Sequence, residues 1–152
     1  MEVEQELYEV AIGLLARREH SRRELSDKLR GRAGDGGALD RVLDRLAEEG
    51  LQSDVRFAAS FVRARVERGQ GSLRIRQELG QKGVDSETQA LALEDCEVDW
   101  FERALAVKVK RFGGAPPEDR REYARQARFL SYRGFTGEQV QYALENRDAL
   151  DF

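Results

Sequence analysis

The residues best placed to do chemistry are cations, and the chemistry they suit is recognition of anionic surfaces. Arg63, Arg65, Arg68, Arg74, Arg76 and Lys82 flank the turn Gly69-Gln70-Gly71 between two predicted helices. A second group comes later in the chain, with Lys108, Lys110, Arg111, Arg125 and Arg128. Arginine offers a planar fork of donors to carboxylates and phosphates, and lysine a mobile point charge. Neither group is accompanied by the residues that covalent chemistry needs. His20, the one histidine, stands in a turn beside Ser21, where capping or packing suits it better than a triad. Cys96, the one cysteine, lies among Glu94, Asp95 and Glu97, which disfavour its thiolate. A lone cysteine also forms neither an internal disulfide nor a multi-cysteine metal site. Gly69-x-Gly71 lacks the further glycine and the preceding strand of a dinucleotide loop, and no Gly-Lys-[Ser/Thr] phosphate loop occurs. The expectation is a binding protein and not an enzyme, with no catalytic residue, no metal and no cofactor.

Short helices must position these cations. Over 54–68, Phe57, Phe61 and Arg65 recur at i, i+4, with Ala58, Val62 and Val66 beside them, so one stripe is apolar. The two glycines at 69 and 71 stop that helix. Ser72 reads as the N-cap of a second helix carrying Ile75 and Leu79, and Gly83 as its left-handed end. Asp85 or Ser86 then caps a third, with Ala90, Leu91 and Leu93 available for burial.

This three-helix plan repeats. A shift of 51 residues places Leu79, Lys82, Gly83, Val84, Glu87, Ala92 and Leu93 on Leu130, Arg133, Gly134, Phe135, Glu138, Ala143 and Leu144. Upstream, Ser21, Leu25 and Leu29 imitate the start and apolar face of the middle second helix, and Ser21 with Glu24 fits a capping box. Helical units recurring at that period cannot each bury an apolar face alone and must stack. The modules expected are 1–53, 54–98 and 99–152. In the first, Leu7, Ala11, Leu14 and Leu15 form a stripe, Gly31–Gly37 a flexible loop, and Leu39, Val42, Leu43 and Leu46 a strong helix ended by Gly50. Ser53 or Asp54 caps the helix that opens the middle module. In the third, Trp100, Phe101, Leu105 and Val109 line one helix. Pro117, Glu118 and Asp119 start the next, Tyr123, Ala127 and Leu130 face inward from it, and Thr136 caps the last.

The composition agrees with an all-α protein of thin, surface-rich packing: 40% hydrophobic and 36% charged residues, with two prolines. No apolar run is long enough to span a membrane and the acidic start lacks a signal-peptide core, so a soluble cytoplasmic protein is expected. The net charge is −3, but the charge alternates with the repeat. First and second helices are basic and the segment from Asp85 to Glu102 is acidic, so different faces suit different partners. A monomer is expected, since no long heptad seam occurs.

Three stretches resemble the bacterial RecX family. The first is Leu14-Leu15-Ala16-Arg17-Arg18-Glu19-His20-Ser21-Arg22-Arg23-Glu24-Leu25 with Lys28-Leu29. The second is Asp54-x-x-Phe57-Ala58 with Arg63-x-Arg65, Gly69-x-Gly71 and Ile75-x-x-Glu78-Leu79-x-x-Lys82-Gly83-Val84. The third is Lys110-Arg111-Phe112-Gly113 with Arg128-Phe129-Leu130-x-x-Arg133-Gly134-Phe135. The resemblance spans about Tyr8 to Leu144. It implies an elongated, curved array of three tandem three-helix repeats that regulates the RecA recombinase in DNA repair, homologous recombination and the SOS response. The implied mode is seating in the groove of the RecA–DNA filament, with inhibition of strand exchange, ATP hydrolysis and filament extension. The eleven cations named above, from Arg63 to Arg128, are then the expected partner-binding residues, meeting RecA acids and, weakly, single- and double-stranded DNA. The alternative is a helix-turn-helix-like DNA-binding regulator that works without RecA.

Overall fold

The structure is a computed structural model that describes residues 2–34 and 36–145. The described residues contain nine α-helices and no strand. They are α1 (Glu2–Arg17), α2 (Arg22–Ala33), α3 (Ala38–Glu48), α4 (Asp54–Glu67), α5 (Ser72–Gln81), α6 (Ser86–Asp95), α7 (Trp100–Phe112), α8 (Arg120–Tyr132) and α9 (Gly137–Glu145). The end of the third expected module, 146–152, and Asp35 of the expected loop lie outside the described residues.

Side-chain caps set most helix starts. At α2 the capping box forms as expected: Ser21 Oγ accepts from Glu24 N, and the Glu24 carboxylate accepts from Ser21 N. Ser53, not Asp54, caps α4, its Oγ accepting from Arg56 N. Asp85, not Ser86, caps α6 through Thr88 N. Thr136 caps α9, its hydroxyl accepting from Gln139 N while the Gln139 side chain accepts from Thr136 N. Asp99 and Asp119 cap α7 and α8. Pro117 and Glu118 therefore precede α8 instead of starting it.

Three expectations fail locally. Helix α2 continues through Gly31, because Ala33 at its end is buried in the core of α1–α3. On α6 the inward residues are Gln89 and Ala92, while Ala90 and Leu91 are exposed; Gln89 is admitted because its Nε2 donates to the Val84 carbonyl at 2.8 Å. On α7 the buried face is Ala104, Leu105, Val107 and Lys108, leaving Phe101 and Val109 exposed.

The described residues form two compact units: those up to Phe61 with Leu79–Ala92, and Val62–Glu78 with those from Leu93 to Glu145. In the first, α1–α3 close over Leu7, Ala11, Leu25, Leu29, Val42, Leu43 and Leu46. In the second, Ala104, Leu105, Val107, Leu130, Phe135, Val140, Ala143 and Leu144 form the core of α7–α9. Each fully buried leucine contributes roughly 2 kcal/mol of transfer free energy.

The repeated Leu-x-x-[Lys/Arg]-Gly-[Val/Phe] pattern has a local cause. It ends the second helix of a module in a Schellman motif, in which the amide after the glycine bonds back to the leucine carbonyl. Val84 N donates to Leu79 O at 3.0 Å and Phe135 N to Leu130 O at 3.2 Å. The glycines take left-handed φ values of 81° and 103°, and Leu79, Val84, Leu130 and Phe135 are buried.

Candidate functional site

The cations divide according to what holds them. On α7 the spacing i, i+4, i+7, i+8 puts Arg103, Val107, Lys110 and Arg111 on one face. With the end of α4 and with Phe129 and Arg133 of α8 and its exit, they line a cleft of about 610 Å³ in the second unit. Its cations are Arg68, Arg103, Lys110, Arg111 and Arg133, and Glu67 is the one acid among its lining residues.

Two of the five complete a helix end. The last carbonyls of a helix lack intrahelical donors and carry partial negative charge. Arg103 Nη2 donates to Val66 O and Arg133 Nη1 to Arg68 O, both at 2.8 Å. Arg133 and Arg111 also lie over the Phe129 ring, at 4.9 and 5.4 Å from its centroid. Arg68, Lys110 and Arg111 are exposed. The cleft thus combines two arginines bound to the end of α4 with three exposed cations, an arrangement suited to carboxylates or phosphates.

The other expected contact residues are placed differently. Arg63, Arg76 and Arg128 are exposed, with no ion-pair partner among the described residues. Arg65 and Arg74 share Glu78, at 3.2 and 3.4 Å. Arg125 pairs with Glu122 at 2.8 Å, and with Gln126 it holds the pKa of that carboxyl at about 2. Lys108 is not a surface charge. It is 2% exposed, and its ammonium donates to Gly113 O and Ala115 O at 2.7 and 2.6 Å, pinning the turn after α7. Burial lowers its pKa. Its alternation with Lys110 and Arg111 hid this, since only the carbonyls of the Gly-Gly turn make a buried ammonium tolerable.

Lys82 belongs to the first unit. There Ser21 Oγ donates to Lys82 O at 2.7 Å, and Lys82 Nζ lies 3.3 Å from Glu24. Burial pushes the Glu24 carboxyl up, but Arg18, the Ser21 amide and Lys82 outweigh it and hold the pKa at about 2. His20, 2% exposed, has Nδ1 3.1 Å from Arg18 O and Nε2 3.1 Å from Lys28 Nζ. A carbonyl only accepts and an ammonium only donates, so the neutral Nδ1–H tautomer fits. Burial lowers its pKa. The histidine is a packing element, as its turn position suggested.

The second unit contains a matching joint. Gly71 N donates to Arg133 O at 2.8 Å and Leu73 N to Gly134 O at 3.0 Å. Gly71 O accepts the first bond of α5, from Ile75 N, so Gly71 occupies the N-cap position and Ser72 is already helical. The reason is steric: a Cβ on Gly71 would lie 2.4 Å from Gly134 C. In both units the N-cap of one second helix donates to the carbonyl preceding the exit glycine of the next.

Sequence reasoning missed Arg103 and Arg133 as cleft residues. Arg103 is one turn before Val107 on the basic face, and Arg133 is the repeat's own Lys/Arg position, so both signals were present.

Known proteins share this tandem organisation. Models of the first, second and third three-helix domains of RecX match residues 8–46, 53–93 and 97–144. The regulatory protein RecX of Halorhodospira halophila is 54% identical over 143 residues, covering 94% of this chain and 89% of that one. That of Pseudomonas entomophila is 48% identical over 141 residues, covering 93% and 91%. The crystal structure of RecX from Lactobacillus salivarius has the same fold, with a TM-score of 0.81, 21% identity and 97% of each chain covered. Among the described residues no helix is long and apolar enough to cross a membrane, and no cluster of ligating side chains could hold a metal.

Proposed function

The chain belongs to the RecX family of regulatory proteins, and we propose that it binds the RecA–DNA filament in its groove and inhibits ATP hydrolysis, strand exchange and filament extension. It does so by binding alone, as a cytoplasmic monomer without a cofactor. The observation that carries this reading is the cleft of α4, α7 and α8, where Arg68, Lys110 and Arg111 stand exposed on a wall fixed by Arg103 and Arg133. A filament presents carboxylates and phosphates in a periodic array, and a cluster of exposed cations complements them in charge. Arg63, Arg76 and Arg128 extend the basic surface, while Lys108 contributes only by holding the turn.

The test is filament binding by Lys110→Glu/Arg111→Glu. Both side chains are exposed and have no ion-pair partner among the described residues, so the variant loses little beyond the Arg111 contacts with the Phe112 and Phe129 rings, and binding weakens with a reduced salt dependence. Unaltered affinity would remove the cleft from the account. Reversing Arg65 and Arg74 is a poorer test, because both hold Glu78. Tight binding to bare DNA with no effect of RecA would favour a direct DNA-binding regulator instead.

A further inference from the structure

The two joints differ in one respect that their architecture does not require. At the first, the first turn of α2 shows Arg22 and Arg23, and Gln81 precedes Lys82-Gly83. At the second, the first turn of α5 shows Leu73, and Tyr132 precedes Arg133-Gly134. Leu73 is 54% exposed and Tyr132 is 76% exposed. The hydrogen bonds of both joints form without these side chains, so an exposed leucine and tyrosine cost solubility and supply none of the joint's hydrogen bonds.

Tyr132 is also held. The Arg74 guanidinium lies 5.2 Å from its ring centroid, and Arg74 is tethered to Glu78 at 3.4 Å. A ring and an arginine fixed before binding lose less entropy on contact, and tyrosine and arginine dominate protein–protein contact energies. Arg76 and Arg128 stand exposed on the same two helices.

We propose that Leu73 and Tyr132, with Arg74 behind them, form a docking point for a protein segment that presents an apolar side chain flanked by carboxylates. The inference rests on the filament-binding reading and assigns this patch to the filament's protein component. Leu73, whose amide bonds to Gly134 two residues beyond the tyrosine, adds an apolar side chain that favours a protein over nucleotide bases, and Arg74 with the exposed arginines of the same helices favours acids on that protein.

Filament binding and bare single-stranded DNA binding, each measured by fluorescence anisotropy at two salt concentrations, separate the outcomes. Leu73→Ser/Tyr132→Ser weakens filament binding about tenfold or more. The loss persists at the higher salt, and affinity for bare DNA stays unchanged. Tyr132→Phe, which keeps the ring, binds the filament like the parent protein. Unaltered filament binding by the double variant overturns the docking point. An equal loss on bare DNA overturns it in favour of base stacking. If the parent protein itself fails to bind filaments, the filament reading falls and this inference with it.

Discussion

Gly134 faces Arg74 so closely that a Cβ placed on the glycine would lie 2.4 Å from the arginine Cβ and 2.6 Å from its amide nitrogen. In the first unit Gly83 faces Arg23 in the same manner, with a Cβ–Cβ approach of 2.7 Å. In each case the exit glycine of one second helix lies on the first turn of the second helix before it. The repeat is therefore a rule for joining neighbours as well as a helix-ending signal.

Gly134→Ala and Gly83→Ala should both destabilise, since each adds strain at positive φ to a steric conflict. The left-handed strain alone costs about 1–2 kcal/mol. Gly134→Ala should cost more, because backbone crowds it, whereas Gly83 meets side-chain atoms of Arg23. Gly13→Ala, in a helix with nothing within 4 Å, should be neutral or stabilising. Urea denaturation of the three variants tests the order.

Lys108→Met should lower stability by about 2 kcal/mol, the scale of charged hydrogen bonds, by leaving the carbonyls of Gly113 and Ala115 without their donor. Its effect on filament binding should track that loss of stability and vanish where the variant is fully folded. A binding defect in fully folded Lys108→Met would return the residue to the contact surface.

Leu79→Ala and Leu130→Ala should each cost roughly 2–5 kcal/mol, because both leucines are wholly buried and anchor the helix exit. Thermal melting of the pair checks whether the two repeats have comparable cores.

Acid should act in two windows. The His20 pKa is lowered in the fold from its ordinary 6.5, so the unfolded chain binds more protons just below that value and stability falls as pH drops through it. The Glu24 pKa falls from 4.5 to about 2, so its contribution is complete above 4.5 and is lost as pH falls toward 2. His20→Gln should flatten the upper window and Glu24→Gln the lower one, in denaturation midpoints measured against pH.

Much of this was legible in the sequence because the signals are local. Caps at Ser21 and Thr136, the exit glycines and the 51-residue match depend on near neighbours in the chain. Positions decided by distant partners, or by carbonyls of irregular backbone, were not legible. Ser72 looked like a cap because its neighbour Gly71 is glycine for the sake of Gly134, more than 60 residues away in the chain. Lys108 looked like surface charge because the carbonyls that accept from it lie in an irregular turn. Gln89 disturbed the apolar pattern of α6 because it satisfies a carbonyl. The cations are plain in the sequence, but the carbonyls that fix Arg103 and Arg133 lie 37 and 65 residues away in the chain.

The most direct test of the central claim is RecA ATP hydrolysis on single-stranded DNA as this protein is titrated in, beside Lys110→Glu/Arg111→Glu. The account predicts inhibition at well below one protein per RecA protomer, with the double variant needing a clearly higher concentration. Undiminished hydrolysis at saturating parent protein would contradict it.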